Sequence, residues 1–184
     1  MIRIVGGKYK GKRLFEPENE PIRPALDRGR ESLFNLLMHH FDESKVYGKR
    51  VLDAFSGTGA YGLEALSRGA SFAYFIDIDK GSLALTQKNI RHLGIQDQTT
   101  TLLGDSRFLK PCSIAPFDLV ILAPPYGQNL VNPAFACLQE KGWLAKNALI
   151  VVEVDSKEDW QIHPQEQFLF ERTYGRNRYC FFQF

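Results

Sequence analysis

Cysteine and histidine are both scarce in this chain. The three cysteines, Cys112, Cys137 and Cys180, are far apart and show no C-x-x-C spacing. That excludes a disulfide scaffold and a zinc site built on paired cysteines, and the thiols read as reduced. The histidines (His39, His40, His92, His163) make no metal-type cluster, because His39 and His40 adjoin on a helix and point to different faces. No bound metal is expected. Long apolar runs are missing as well. The longest are strand-sized, well short of the roughly 20 residues that cross a bilayer, so no membrane association is expected. The N-terminus is basic but has no apolar h-region, so it does not read as a signal peptide. These absences point to a soluble, cytoplasmic protein, without internal repeats or low-complexity segments.

Net charge is also small, +2 over the whole chain, but it is unevenly spread. Residues 1–30 hold eight Lys/Arg (Arg3, Lys8, Lys10, Lys12, Arg13, Arg23, Arg28, Arg30) against four acids (Glu16, Glu18, Glu20, Asp27). The rest of the chain is slightly acidic. A basic arm on a near-neutral body is the footprint of a protein that meets a polyanion through its N-terminus, or else a solvated basic turn. At 184 residues, 44% of them hydrophobic, the chain is long and apolar enough for one full core with a small appendage.

The chain is organised around Val51-Leu52-Asp53-Ala54-Phe55-Ser56-Gly57-Thr58-Gly59-Ala60-Tyr61-Gly62. Val51 and Leu52 favour a strand. Gly57 and Gly59 allow a tight turn and a close backbone approach to a ligand. Ala60 to Arg68 carries helix formers, so the turn feeds a helix N-terminus whose free N–H groups suit a carboxylate or phosphate. Gly57, Gly59 and Gly62 fit the dinucleotide fingerprint G-x-G-x-x-G. Asp53 argues against a dinucleotide, because its carboxylate would repel a pyrophosphate. It suits a ligand with a cationic ammonium or sulfonium group, and S-adenosylmethionine has both. A tight βα turn with no ligand is the plain alternative.

Strand and helix signals alternate on either side of this stretch. Residues 2–15 read as a hairpin, and the proline-bearing residues 16–24 as a loop. Asp27 caps a helix running to about Phe41, with Leu33, Phe34, Leu36, Leu37 and Phe41 on its buried side. Strands follow at 50–54, 72–77, 99–103, 117–122 and 147–154, with helices at 60–68, 80–93 and 131–141. Residues 167–184 read as an antiparallel hairpin joined near Gly175. Alternation of this kind implies an α/β fold: a Rossmann-like, mostly parallel, doubly wound sheet. The expected division is a hairpin-and-helix extension over 1–45 and a nucleotide-cofactor domain over 46–184.

Ligands of such sheets bind at the carboxyl ends of the strands. Asp53, Asp77 and Asp105 fall there, one per successive strand. Asp77 can accept hydrogen bonds from ribose hydroxyls, with Asp79 the better helix cap. Asp105, followed by Ser106, stands where an adenine amino group could donate. The next strand ends in Ala123-Pro124-Pro125-Tyr126. Two prolines fix a rigid extended turn, and an exposed tyrosine beyond it suits a flat base drawn out of its stack. A packed tyrosine in an ordinary turn is the alternative.

The sequence resembles the RsmD family, the bacterial guanine-N2 methyltransferases of small-subunit (16S) ribosomal RNA. The resemblance covers nearly the whole chain. It includes residues Arg3 to Leu14, Arg23-Pro24, Asp27-Arg28, Arg30 to Asn35, the glycine stretch, Gly62 to Ala70, the Pro124-Pro125-Tyr126 turn and Tyr174-Gly175. It implies an S-adenosylmethionine-dependent methyltransferase fold. Asp53, Phe55, Gly57, Gly59, Asp77, Ile78, Asp105 and Ser106 would hold the cofactor. Ala123, Pro124, Pro125 and Tyr126 would form the reaction centre. Lys8, Lys10, Lys12, Arg13, Arg23, Arg28 and Arg30 would hold RNA. The partner would be 16S rRNA, in the small subunit or its assembly intermediate, met by a monomer.

One residue departs from the family pattern. The family has Asp or Asn before Pro-Pro-Tyr, and this chain has Ala123. An exocyclic amine on a purine is a poor nucleophile because its lone pair is delocalised into the ring. The acid or amide, with the Pro124 carbonyl, accepts its N–H hydrogens and aims the lone pair. Alanine cannot accept a hydrogen bond. Either another group substitutes, for which Glu153 at the end of the fifth core strand is the candidate, or the chain is a catalytically impaired RNA-binding or ribosome-assembly protein that keeps the cofactor pocket.

Overall fold

The computed structural model describes residues 2–17, 25–41, 43–160 and 167–184. Four core strands run parallel to their neighbours: β3 (Arg50–Asp53), β4 (Phe72–Asp77), β5 (Thr99–Leu103) and β6 (Phe117–Leu122). With β7 (Leu144–Asp155), β8 (Gln167–Tyr174) and β9 (Asn177–Gln183) they make one seven-stranded sheet in the order β5-β4-β3-β6-β7-β9-β8. β3 to β7 are mutually parallel, with Val51 opposite both Ala73 and Leu119. β9 is antiparallel to β7 and to β8. The fold is a Rossmann-like, mostly parallel sheet closed by an antiparallel pair.

Period-two alternation assigns the two faces. Val51, Ala73, Phe75, Leu119, Ile121, Val151 and Phe181 join one core cluster. Its helices are α1 (Ala25–Phe41), α2 (Ala60–Ser67) and α3 (Lys80–Leu93), through Leu33, Phe34, Leu37, Leu63, Leu66 and Ile90. Leu52, Ile76, Val120, Leu122, Ile150, Val152 and Phe182 face the other way. They pack on α4 (Val131–Glu140) through Val131, Ala134, Phe135 and Leu138. Asp79 caps α3 by accepting the Ser82 N–H at 2.6 Å, and Gly94 ends that helix with φ 69°.

Two expectations shift. Asp27 does not precede its helix: α1 starts at Ala25, so Asp27 lies in the first turn. β7 starts at Leu144, because Leu144 pairs with Phe117 before an irregularity in register; Asn147, in left-handed backbone (φ 63°), precedes the continuous buried run. The closing hairpin lies at one edge of the sheet, as expected. Its second strand β9, rich in buried aromatics, lies inside the sheet, and the mostly exposed β8 forms the edge.

The basic arm is bound to the body rather than loose upon it. β1 (Ile2–Arg3) pairs antiparallel with β2 (Arg13–Leu14), and Ile2, Ile4 and Leu14 enter the same core as α1. The loop between them lies flat on the end of α2. Lys8 N–H donates to the Ser67 carbonyl at 2.7 Å, and Tyr9 N–H to Ser67 Oγ at 2.9 Å. A Cβ at Gly7 would lie 1.8 Å from that same carbonyl, so only glycine fits.

One buried carboxylate ties arm, α1 and α2 together. Glu64 is fully buried and accepts from Val5 N–H at 2.8 Å and from Arg68 Nε at 2.8 Å. It also pairs with the buried Arg30 at 3.6 Å. Removing one partner of a buried ion pair strands the other charge. Glu64→Ala should therefore destabilise the fold by about 3–5 kcal/mol in urea denaturation. A loss under about 1 kcal/mol would show that this pair behaves like an exposed one.

Candidate cofactor cleft and base-facing turn

The turn after β3 is built by its glycines and held from α3. Gly57 and Gly59 adopt left-handed backbone, φ 53° and 79°. A Cβ on Gly62 would lie 2.3 Å from the Phe75 ring, so its absence lets α2 pack closely on β4. Thr86 Oγ1 donates to the Gly57 carbonyl at 2.8 Å. Asn89 Nδ2 donates to the Thr58 carbonyl at 2.9 Å.

Asp53 lies beneath this turn. It is fully buried, and its Oδ2 accepts the Gly62 N–H at 3.0 Å. Its Oδ1 has no hydrogen-bond partner among the described residues. Burial first, and the nearby Asp77 charge after the opposing Gly62 hydrogen bond, push its pKa up to about 7. Asp77 stands at the rim, with Oδ2 accepting from Gly57 N–H at 2.7 Å and Oδ1 from Asp79 N–H at 2.9 Å. Its orientation is thus fixed by two backbone donors. Asp105 is engaged by Arg107, which approaches to 2.6 Å and holds the carboxyl below its usual range. Ser106 is buried and donates from Oγ to the Ala54 carbonyl at 2.6 Å.

A cleft of about 940 Å³ opens at the carboxyl ends of β3, β4, β6 and β7. Phe55, Gly57, Asp77, Ile78, Asp105 and Ser106 line one end of it. Ala123, Pro124, Pro125, Tyr126, Glu153 and Asn177 line the other. Of the residues expected to meet the cofactor, Asp53 and Gly59 are not in the wall. Asp53 underlies it, and a Cβ on Gly59 would press on Thr86, 2.9 Å away.

Glu153 is the polar hub of the far end. It is only 5% exposed. Its Oε1 accepts from the Tyr126 hydroxyl at 2.6 Å and from Asn177 Nδ2 at 2.8 Å. Its Oε2 accepts from the Tyr61 hydroxyl. A carboxylate offers about four acceptor sites, so one remains open. Burial raises the Glu153 pKa and outweighs these hydroxyl donors. Ala123 beside it presents no polar side-chain atom. Tyr126 is tied to Glu153 through its hydroxyl and has the Arg176 guanidinium 5.6 Å from its ring centre.

Tyr61, Asn177 and Arg176 were not foreseen. Tyr61 adjoins the glycine turn, a position that could have drawn notice. Asn177 and Arg176 lie 24 and 23 residues after Glu153, and only the insertion of β9 beside β7 brings them to it.

Of the expected RNA contacts, Lys8, Lys10, Lys12 and Arg13 are exposed on the arm. Arg30 is corrected: it is 2% exposed, donates to the Arg3 carbonyl and pairs with Glu64, so it cannot reach a phosphate. Arg23 lies outside the described residues, as does the side chain of Arg28. Among the described residues no helix is long and apolar enough to cross a membrane, and no His, Cys, Asp and Glu cluster could hold a metal.

The protein family described as Conserved hypothetical protein 95 matches residues 2–183. The chain is 37% identical to ribosomal RNA small subunit methyltransferase D of Haemophilus influenzae, over 99% of this chain and 93% of that protein. It is 33% identical to the protein of the same name from Escherichia coli K12, covering 90% and 84%. The solved structure of yhhF from Escherichia coli superposes with a TM-score of 0.83 at 32% identity, covering 99% of this chain and 97% of that one. On sequence and fold together, the chain belongs to this family, that of ribosomal RNA small subunit methyltransferase D.

Proposed function

We propose that this protein transfers a methyl group from S-adenosylmethionine to the exocyclic N2 amine of a guanine in small-subunit ribosomal RNA. The observation that carries the reading is a juxtaposition. The glycine-turn and acid set of β3, β4 and β5, and the Pro124-Pro125-Tyr126 turn of β6, line opposite ends of one cleft. The names of the relatives, which act on ribosomal RNA, support the substrate class.

The residues fit the cofactor. Asp53 offers a buried oxygen with no donor among the described residues, beneath the wall residues Ala54, Phe55 and Gly57. A cationic ammonium or sulfonium supplies the charge partner that oxygen lacks. Asp77, already oriented, has lone pairs left for ribose hydroxyls. Phe55, Ile78, Asp105 and Ser106 would flank the adenine. S-adenosylmethionine, when bound, supplies an electrophilic methyl carbon.

At the other end, Pro124 and Pro125 hold an extended turn, and Tyr126 offers a ring face to the base. The amine that accepts the methyl must lose a proton. The Pro124 carbonyl would accept a hydrogen bond from the amine, and the Glu153 carboxylate, with one acceptor site open, would take the proton. Lys8, Lys10, Lys12 and Arg13 would neutralise phosphates. In this reading residues 1–45 are the RNA-facing extension and 46–184 the transfer domain, although the two share one core.

Asp53 makes cofactor binding pH-dependent. With its pKa raised to about 7, the folded apoprotein holds a proton that an unfolded chain releases near 4. Its contribution to stability is full below about pH 4 and is lost as pH rises through about 7. A cation beside the carboxylate favours the ionised form, so binding below pH 7 must expel that proton. Calorimetry should show affinity rising between pH 6 and pH 8, by up to about tenfold per unit below the pKa. Asp53→Asn should flatten the profile. Asp77→Ala should weaken binding at every pH, by about 1.5–3 kcal/mol. Equal affinity for the Asp77 variant would remove it from the site.

Ala123 generates the second prediction. A single preorganised polar group at such a centre is worth about 10²–10³ in rate. Ala123→Asp should raise single-turnover methylation of rRNA by that factor and leave cofactor affinity unchanged. An unchanged rate would contradict the need for a side-chain acceptor at this position. Absence of transfer by both forms, with cofactor and RNA still bound, would favour a binding protein over an enzyme.

A further inference from the structure

Asn89 lies in α3, outside the cleft wall, and is fully buried. Its single amide makes three hydrogen bonds to two separate parts of the chain. Oδ1 accepts the Phe15 N–H at 2.7 Å, and Nδ2 donates to the Phe15 carbonyl at 3.1 Å. Nδ2 also donates to the Thr58 carbonyl at 2.9 Å. Phe15 directly follows β2, at the end of the basic arm. Thr58 lies between the two left-handed glycines of the cofactor turn.

The arm is seated on α3 by more than this amide. Lys88 Nζ lies 3.9 Å from the centre of the Phe15 ring, and His92 meets that ring edge-on at 5.3 Å. Lys88 and His92 are both exposed. Thr86, one turn before Asn89, grips the turn alone, through Gly57. Asn89 is the residue of α3 that holds the turn and the arm at once.

An amide is rigid, so its two ends turn together. With the arm seated, both polar atoms of Asn89 are satisfied, and the Thr58 carbonyl has a fixed donor. With the arm displaced, the Oδ1 atom and one N–H of a buried side chain lose their partners. An unsatisfied buried group is costly, so the amide would seek other partners and loosen its hold on Thr58. Anything that holds the arm down thereby favours the ordered turn, and anything that orders the turn favours the seated arm. Such coupling is reciprocal.

We propose that Asn89 is a positioning residue that makes RNA binding on the basic arm and cofactor binding on the glycine turn mutually reinforcing. The inference rests on the proposed function, because it takes the arm to bind RNA and the turn to bind the cofactor.

The test is a binding cycle on the full chain. S-adenosylhomocysteine, which cannot react, is titrated by calorimetry with and without a saturating small-subunit rRNA transcript. In the unmodified protein the RNA should tighten its binding by about fivefold or more. In Asn89→Ala each ligand should still bind, but the ratio of the two affinities should fall to one. Thr86→Val is the contrast: it should weaken cofactor binding equally with and without RNA and keep the ratio. A merely structural loss would lower affinities without abolishing the ratio. If Asn89→Ala fails to fold, Phe15→Pro removes the arm's N–H donor together with the ring that meets Lys88 and His92, and should abolish the ratio likewise. A ratio of one in the unmodified protein, or a ratio kept in the Asn89 and Phe15 variants, overturns the inference. Failure of the unmodified protein to bind either ligand overturns the proposed function itself, and this inference with it.

Discussion

β3 has β4 on one side and β6 on the other, and all three run parallel. A parallel neighbour can be reached only by a crossover. The crossover to β4 packs α2 on one face, whereas α4, between β6 and β7, packs on the other. The connections therefore diverge at the carboxyl end of β3 and leave a crevice there. Every candidate site residue is defined by its distance from that crevice. The turn after β3 and the acid after β4 form one wall, and the proline turn after β6 and Glu153 of β7 form the other. Changing the strand order would disperse the site even with every side chain kept.

Three of the buried carboxylates differ in how their charge is matched. Glu64 is matched by two arginines and a backbone donor, and it fastens the basic arm to α2. Glu153 receives hydroxyls and an amide but faces no paired cation, and burial raises its pKa. Asp53 has one backbone donor on one oxygen and none among the described residues on the other. A fold gains nothing from leaving a buried acceptor unmatched, since burial without a hydrogen bond is costly. Glu64 reads as structure because its partners complete it. Asp53 and Glu153 read as site because theirs do not.

Much of the fold was legible because local signals agreed with the tertiary result. The runs at 72–77 and 117–122 end where Asp77 and the prolines end them, and Asp79 and Gly94 bracket α3 at both ends. The acids of the cleft were legible for the same reason: strand ends are local. What was hidden depended on distant partners. Arg30 counted as an RNA contact because charge was read without burial, and Glu64, which neutralises it, lies 34 residues away. Asn177 and Arg176 reach the cleft only because β9 inserts between β7 and β8. Asn89 carries no local mark at all; a polar residue on the buried side of a helix gains meaning only when Phe15 and Thr58 are seen on either side of it.

The central claim is that the two ends of the cleft serve one reaction on ribosomal RNA. Mass mapping of small-subunit rRNA from cells with and without this protein tests it most directly. The account expects one guanosine to lack one methyl group at N2 in its absence, with every other modification retained. Identical maps, or loss of a methyl from a ribose, a ring nitrogen or another base, would contradict it.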